Sequence, residues 1–175
     1  MMRRTGVLAW LLVLLAALPL RAEESLRILP FIGDNRVLVS FELDDAYTPE
    51  VREAIASGLR TTFSYQLELR TPGFFDRTVG TAVVAMTDQY DNLTRRHTLT
   101  RTVDGKVEQV LVTEDEAVVK TWLTKWTRVP VADTARLDPA RDYYVRVTTR
   151  TRPPGGSLLG LTKTVSAQVK FTFVP

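Results

Sequence analysis

The chain of 175 residues has no cysteine and a single histidine, His97. Without cysteine there can be no disulfide framework, no thiol nucleophile, no lipidated cysteine and none of the Cys-containing zinc sets. One histidine excludes the sites built on two or more. Low-complexity tracts, internal repeats and phosphate-cradling glycine loops are also missing. The nucleophile-elbow pattern Gly-x-Ser-x-Gly is absent. Gly156-Ser157-Leu158-Leu159-Gly160 comes nearest, with its second glycine one place late and Pro153-Pro154 where a strand should lead in.

One hydrophobic run stands out, and it lies at the beginning. Arg3 and Arg4 precede an almost wholly apolar stretch from Val7 to Leu20, and Ala22 precedes Glu23 and Glu24. Charge, apolar run and small residue before a polar start form the layout of a secretory signal. As a helix, Val7 to Leu20 would reach roughly 21 Å, short of a hydrocarbon core of about 30 Å. A cleaved signal peptide over residues 1–22 is therefore expected, cut between Ala22 and Glu23, with Ala17 as a second candidate. The alternative is an inner-membrane anchor formed by uncleaved residues 7–20. The full chain has 23 Lys+Arg against 20 Asp+Glu. Cleavage removes Arg3, Arg4 and Arg21 and no acid, so the two signs then balance. The excess positive charge belongs to the leader and gives no reason to expect a nucleic-acid partner.

Residues 23–175 form one domain of ordinary size. Period-two alternation dominates it. Strands are expected at 36–43, 60–70, 79–87, 93–103, 107–112, 143–151 and 163–173, with a hairpin around Tyr90-Asp91-Asn92 and a tight one at Asp104-Gly105. Two short helices interrupt them. The first, around 49–57, has Thr48 as N-cap, Pro49 at its first position and Gly58 after its last turn. The second, around 114–126, starts at a Thr113-x-x-Glu116 capping box and carries Val119, Trp122, Leu123 and Trp126 at helical spacing. The pattern predicts a mainly β protein: a two-layer antiparallel sandwich of about eight strands with two short helices, preceded by the signal-peptide helix. Pro153 to Ser157 reads as a loop and as the most mobile part of the domain.

Chemistry is sparse. His97 has Arg95 and Arg96 beside it, which disfavours the imidazolium, and reads as a sheet residue with a partly exposed ring. Asp88, Asp91 and Asn92 share a hairpin end, where such residues commonly serve local backbone bonds. Glu114-Asp115-Glu116 suits a helix start. No catalytic, cofactor or metal residue is assigned, and no cofactor is expected. The candidate binding surface is Trp122 and Trp126, read as core with ligand stacking as the alternative, plus Arg146 and Arg150 on one face of their strand. Those arginines could meet anionic headgroups or an acidic partner; pairing with acids across the strand is the plainer outcome.

From Phe41 the residues Phe41-Glu42-Leu43-Asp44-Asp45-Ala46, Val51-Arg52-Glu53-Ala54-Ile55, Ser57-Gly58-Leu59, Thr62-Phe63-Ser64-Tyr65 and Tyr90-Asp91-Asn92-Leu93-Thr94 resemble a family of exported proteobacterial proteins, the domain of unknown function DUF4390. The similarity runs from about Ile28 to Phe173 and is most specific from Phe41 to Leu69. Two positions depart from the family pattern: His97 stands where an aromatic is expected, and Leu59-Arg60-Thr61-Thr62 where Leu-Pro-Leu-Thr is. The resemblance implies a Gram-negative envelope and supplies no activity. Taken together, the expectation is a periplasmic, non-enzymatic interaction module whose partner is another envelope protein and whose leader alone meets a bilayer. The alternatives are a carrier of an apolar or lipid ligand, with an enclosed apolar cavity, and an envelope hydrolase, with His97 in a cleft within reach of a serine or carboxylate. An interaction module should instead show an exposed apolar patch or an unpaired edge strand.

Overall fold

The computed structural model describes residues 26–44, 46–151 and 163–174. The signal-peptide helix, its cleavage point and the Pro153–Ser157 loop lie outside the described residues. Among the described residues, nine strands form two antiparallel sheets. The smaller has the order β1-β2-β7, from Leu26–Gly33, Arg36–Leu43 and Lys125–Asp133. The larger has the order β6-β5-β4-β3-β8-β9, from Lys106–Thr113, Arg96–Val103, Arg77–Asp91, Thr61–Thr71, Asp142–Thr151 and Lys163–Thr172. The expected sandwich is present, with two short helices, α1 (Pro49–Ala56) and α2 (Glu116–Thr124).

Alternation sets the layers. In β3, Phe63, Tyr65, Leu67 and Leu69 are buried while Ser64, Gln66, Glu68 and Arg70 face outward. Val84 and Met86 of β4 and Tyr143, Val145 and Val147 of β8 extend that inner face. The smaller sheet covers it with Ile28, Val37, Val39, Phe41 and Val129. Phe41 and Tyr65 meet across the layers at 4.6 Å between ring centroids. Buried Tyr65 donates its hydroxyl to the Leu123 carbonyl at 3.0 Å, tying α2 to the middle of the sheet. At Gly80 the two sheets approach so closely that a Cβ would lie 2.4 Å from the Val131 carbonyl oxygen. Only glycine fits there.

Several boundaries differ from expectation, each for a local reason. β1 and β7 were not read as strands, because Pro30 and Pro130 break their patterns; both lie at the edges of the smaller sheet, where proline is tolerated. The β4–β5 turn spans 92–95 and not 90–92, with Arg95 at φ 57°. Asp91 stabilises it by accepting from the Leu93 and Thr94 amides at 2.8 and 3.3 Å. α2 is capped by Asp115, whose carboxylate accepts from the Ala117 amide at 2.8 Å, and not by Thr113. The Thr113 hydroxyl accepts one step earlier, from the Asp115 amide. α2 also ends at Thr124, so Trp126 belongs to β7. α1 follows its sequence signals: the Val51 amide donates to Thr48, and Gly58 has φ +83°.

Candidate functional site

β6 is the free edge of the larger sheet, beyond the reach of the smaller one. The Asp104-Gly105 turn, with φ of 49° and 80°, folds it against β5. From Lys106 to Val112 every residue is exposed, including Val107, Val110, Leu111 and Val112. Val110 lies opposite Thr100, which lies opposite Thr87, and Val112 lies opposite Thr98. The outward face of this half of the sheet is thus a neutral Thr/Val surface ending in an apolar edge. Such edges are normally shortened, charged or covered, because their unpaired amides and carbonyls recruit another strand. Here the guards sit at the start of the strand, Lys106 and Glu108 together with the register break between Arg101 and Thr102 of the partner strand, and Val110 to Val112 carry none.

A cleft of about 470 Å³ opens at the far end of β6, between α1, the β4–β5 hairpin and the start of α2. Tyr47, Arg52, Glu53, Tyr90, His97 and Glu116 contribute to its wall. His97 is buried on the inner face of β5 and lies opposite Tyr90, with their rings 4.6 Å apart. Its Nδ1 is 2.9 Å from Oδ2 of Asp88, which is fully buried. With that carboxylate ionised, the bond puts the proton on Nδ1 and leaves Nε2 as the accepting nitrogen. The other Asp88 oxygen, Oδ1, has no hydrogen-bond partner among the described residues. Burial pushes the Asp88 carboxyl above its ordinary range, against the pull of the His97 bond. The Tyr47 phenol is pushed up to about 12, first by burial and then by the charges of Glu116 and Asp88, with Arg52 opposing.

Thus the His97 ring is buried where partial exposure was expected, and Asp88 sits inside β4 facing the interior, not at the hairpin end. Parity carries the missed signal. Once the turn spans 92–95, residues 88 and 90 share a face with 97 and 99, and one acid must lie beside the histidine. Arg96 points away and pairs with Glu114 at 3.0 Å. No serine or threonine among the described residues lines the cleft. No group of three His, Asp or Glu able to hold a metal occurs among the described residues.

Trp122 and Trp126 are buried. The Arg101 guanidinium lies 4.2 Å from the centroid of the first ring and 5.2 Å from the second. It donates to the Trp122 carbonyl at 3.1 Å and to that of Lys125, closing the C-terminal end of α2. Burial lowers its pKa to about 10, which still leaves it charged at neutral pH. The pair therefore stacks on a cation of the protein itself. Arg146 of β8 lies in register with Glu68, and the backbone of Arg150 pairs with Ser64. The Arg146 guanidinium packs over Tyr144 at 5.6 Å, while Glu68 bonds Arg70 at 3.4 Å. The structure brings the tryptophans together on one cation and places Arg146 apart from them on β8, while the Arg150 side chain lies outside the described residues.

No curated protein and no solved structure matches this chain. The model of the family described as domain of unknown function DUF4390 matches residues 27–153. That stretch holds the strands of the smaller sheet, the His97 cleft and the whole β4–β6 meander, so the chain belongs to the DUF4390 family.

Proposed function

We propose that the protein is an exported, periplasmic binding module of a Gram-negative envelope that takes an extended segment of another envelope protein along β6. The observation that carries this reading is the exposed edge strand itself: eight residues whose backbone on one side pairs with no other described strand, with Val107, Val110, Leu111 and Val112 exposed. Strand addition supplies main-chain hydrogen bonds along such an edge, and alternate side chains give selectivity. The three cavities described are open, with charged residues on their walls, which gives no support to an enclosed apolar carrier site.

The test places a photo-crosslinking side chain at Val110 and, as control, at exposed Gln168 of β9. One dominant adduct from position 110 in intact cells, absent at 168 and lost when Val112 is changed to Lys, is the expected result. Equal adducts at both positions, or none at 110, would reject the reading. A second reading, a hydrolase that activates water, is favoured by one observation, the His97–Asp88 pair in an open cleft. It requires turnover of a simple ester or amide panel that His97→Gln abolishes.

A further inference from the structure

The strongest unexplained feature lies at the opposite end of the sandwich from His97. The loop joining β3 to β4, Pro72-Gly73-Phe74-Phe75-Asp76, carries two phenylalanines that are 96% and 85% exposed. Their rings touch each other edge-on at 4.9 Å, and neither belongs to the buried core. Leaving two large aromatic rings in water forfeits burial that a loop of polar residues would never need. The loop's stems are held in place: Arg70 donates to the Asp76 carbonyl at 3.3 Å, the Thr71 hydroxyl to that of Arg77 at 3.4 Å, and the Tyr144 hydroxyl to the Asp76 carboxylate.

Directly beneath those stems is a cavity of about 520 Å³, walled by Thr71, Arg77, Thr78, Arg136, Arg141 and Tyr143 among others. Its one acid, Asp138, is occupied by Arg141 at 2.8 Å. Arg77 and Arg136 make no ion pair among the described residues. The Arg141 carbonyl accepts from the Phe173 amide, which brings the end of β9 and the 75% exposed Val174 to the same rim. Apolar tips above and unpaired guanidinium groups below match a bilayer surface in both layers: rings reach the acyl boundary while cations meet phosphates.

We propose that this end of the domain docks on an anionic phospholipid membrane, with Phe74 and Phe75 inserted at the headgroup boundary and Arg77 and Arg136 holding a lipid phosphate in the cavity. This goes beyond the expectation that only the leader meets a bilayer, and it is independent of the β6 reading, since β6 lies on another side. Docking in this pose leaves β6 free for a protein partner.

The absence of cysteine permits a clean test. A polarity-sensitive dye is attached to the full chain at Phe75→Cys or, as control, at Leu93→Cys, a 94% exposed site at the other end. The samples are mixed with vesicles of phosphatidylcholine alone or of equal parts phosphatidylcholine and phosphatidylglycerol. A blue shift and a several-fold rise in emission are expected at position 75 with the anionic vesicles only. Arg77→Gln with Arg136→Gln should weaken partitioning roughly twentyfold, as each basic group near an anionic surface contributes about fivefold. Both arginines lie at the rim, and circular dichroism confirms that the variant folds. A retained leader would draw the opposite end, where β1 starts, to the bilayer, and would make position 93 respond instead. Equal response at 75 and 93, response on the neutral vesicles alone, or indifference to the arginine changes overturns the proposal.

Discussion

β3 and β6 belong to the same sheet, and both are rich in large apolar side chains, yet they have opposite fates. β3 sits between β4 and β8 with the smaller sheet packed over it, and Phe63, Tyr65, Leu67 and Leu69 are at most 1% exposed. β6 lies three strands away from it, past the cover, and Val107 and Val110 are 62% and 60% exposed. Side-chain chemistry alone made both strands. Position in the sheet then decided that one supplies stability and the other supplies surface. An apolar residue contributes through the water it displaces, so the same valine is worth much in β3 and little in β6 until something covers it.

Substitution makes the contrast measurable. Leu67→Ala removes a fully buried side chain from the middle of β3, and should cost about 2–5 kcal/mol by urea unfolding. A cost below about 1 kcal/mol would mean that the centre of the sheet can collapse around the gap. The next largest effect belongs to Arg101, which joins the two regions: it lies on β5, between covered and uncovered strands. Arg101→Met should cost about 2–3 kcal/mol, because the Trp122 and Lys125 carbonyls lose a charged donor. Near-ultraviolet circular dichroism should change with it, as both indole rings lose the guanidinium they stack on. An unchanged tryptophan signal would show that the cation follows the rings and does not order them.

Asp88 tests the boundary through pH. Its carboxyl is raised by burial, with the His97 hydrogen bond acting against the shift. Below the ordinary carboxylate range the group is protonated whether the chain is folded or not, and no buried charge opposes folding. As pH rises through the raised folded value, the unfolded chain is the more ionised state and stability falls. Asp88→Asn removes this contribution. Wild type should therefore lose stability relative to the variant as pH rises from about 4. A parallel pair of curves would mean that Asp88 titrates alike in both states.

How much of this was legible depended on which residues carried a signal. β2 was readable to the residue, Arg36–Leu43, because one face alternates without interruption. The α1 cap and the Asp104-Gly105 hairpin were readable because each rests on local backbone chemistry. Trp126 was misplaced because helical spacing from Trp122 continued by coincidence into β7, across a boundary set by tertiary pairing with Phe41. The His97–Asp88 pair was hidden because it depends on hairpin register, and a three-residue turn at 90–92 in place of the four-residue turn at 92–95 breaks the parity. The fate of β6 was hidden most completely. Val107 to Val112 reads as an ordinary strand, and only the order of strands reveals that no described element covers it.

The smallest effect on stability is expected where the functional effect should be largest. Val110→Lys and Val112→Lys together place two charges on an edge that is already wet. Each of these side chains is more than half exposed, so each change should alter the unfolding free energy by no more than about 0.5 kcal/mol. A charge on a free edge is nevertheless a strong bar to strand addition, since a pairing strand would have to desolvate it. The double variant should therefore unfold like wild type and fail to capture the strand-donating partner. If it loses several kcal/mol, some part of the chain already covers β6, and the contrast with β3 disappears. If it stays stable and binds undiminished, the edge is surface and nothing more.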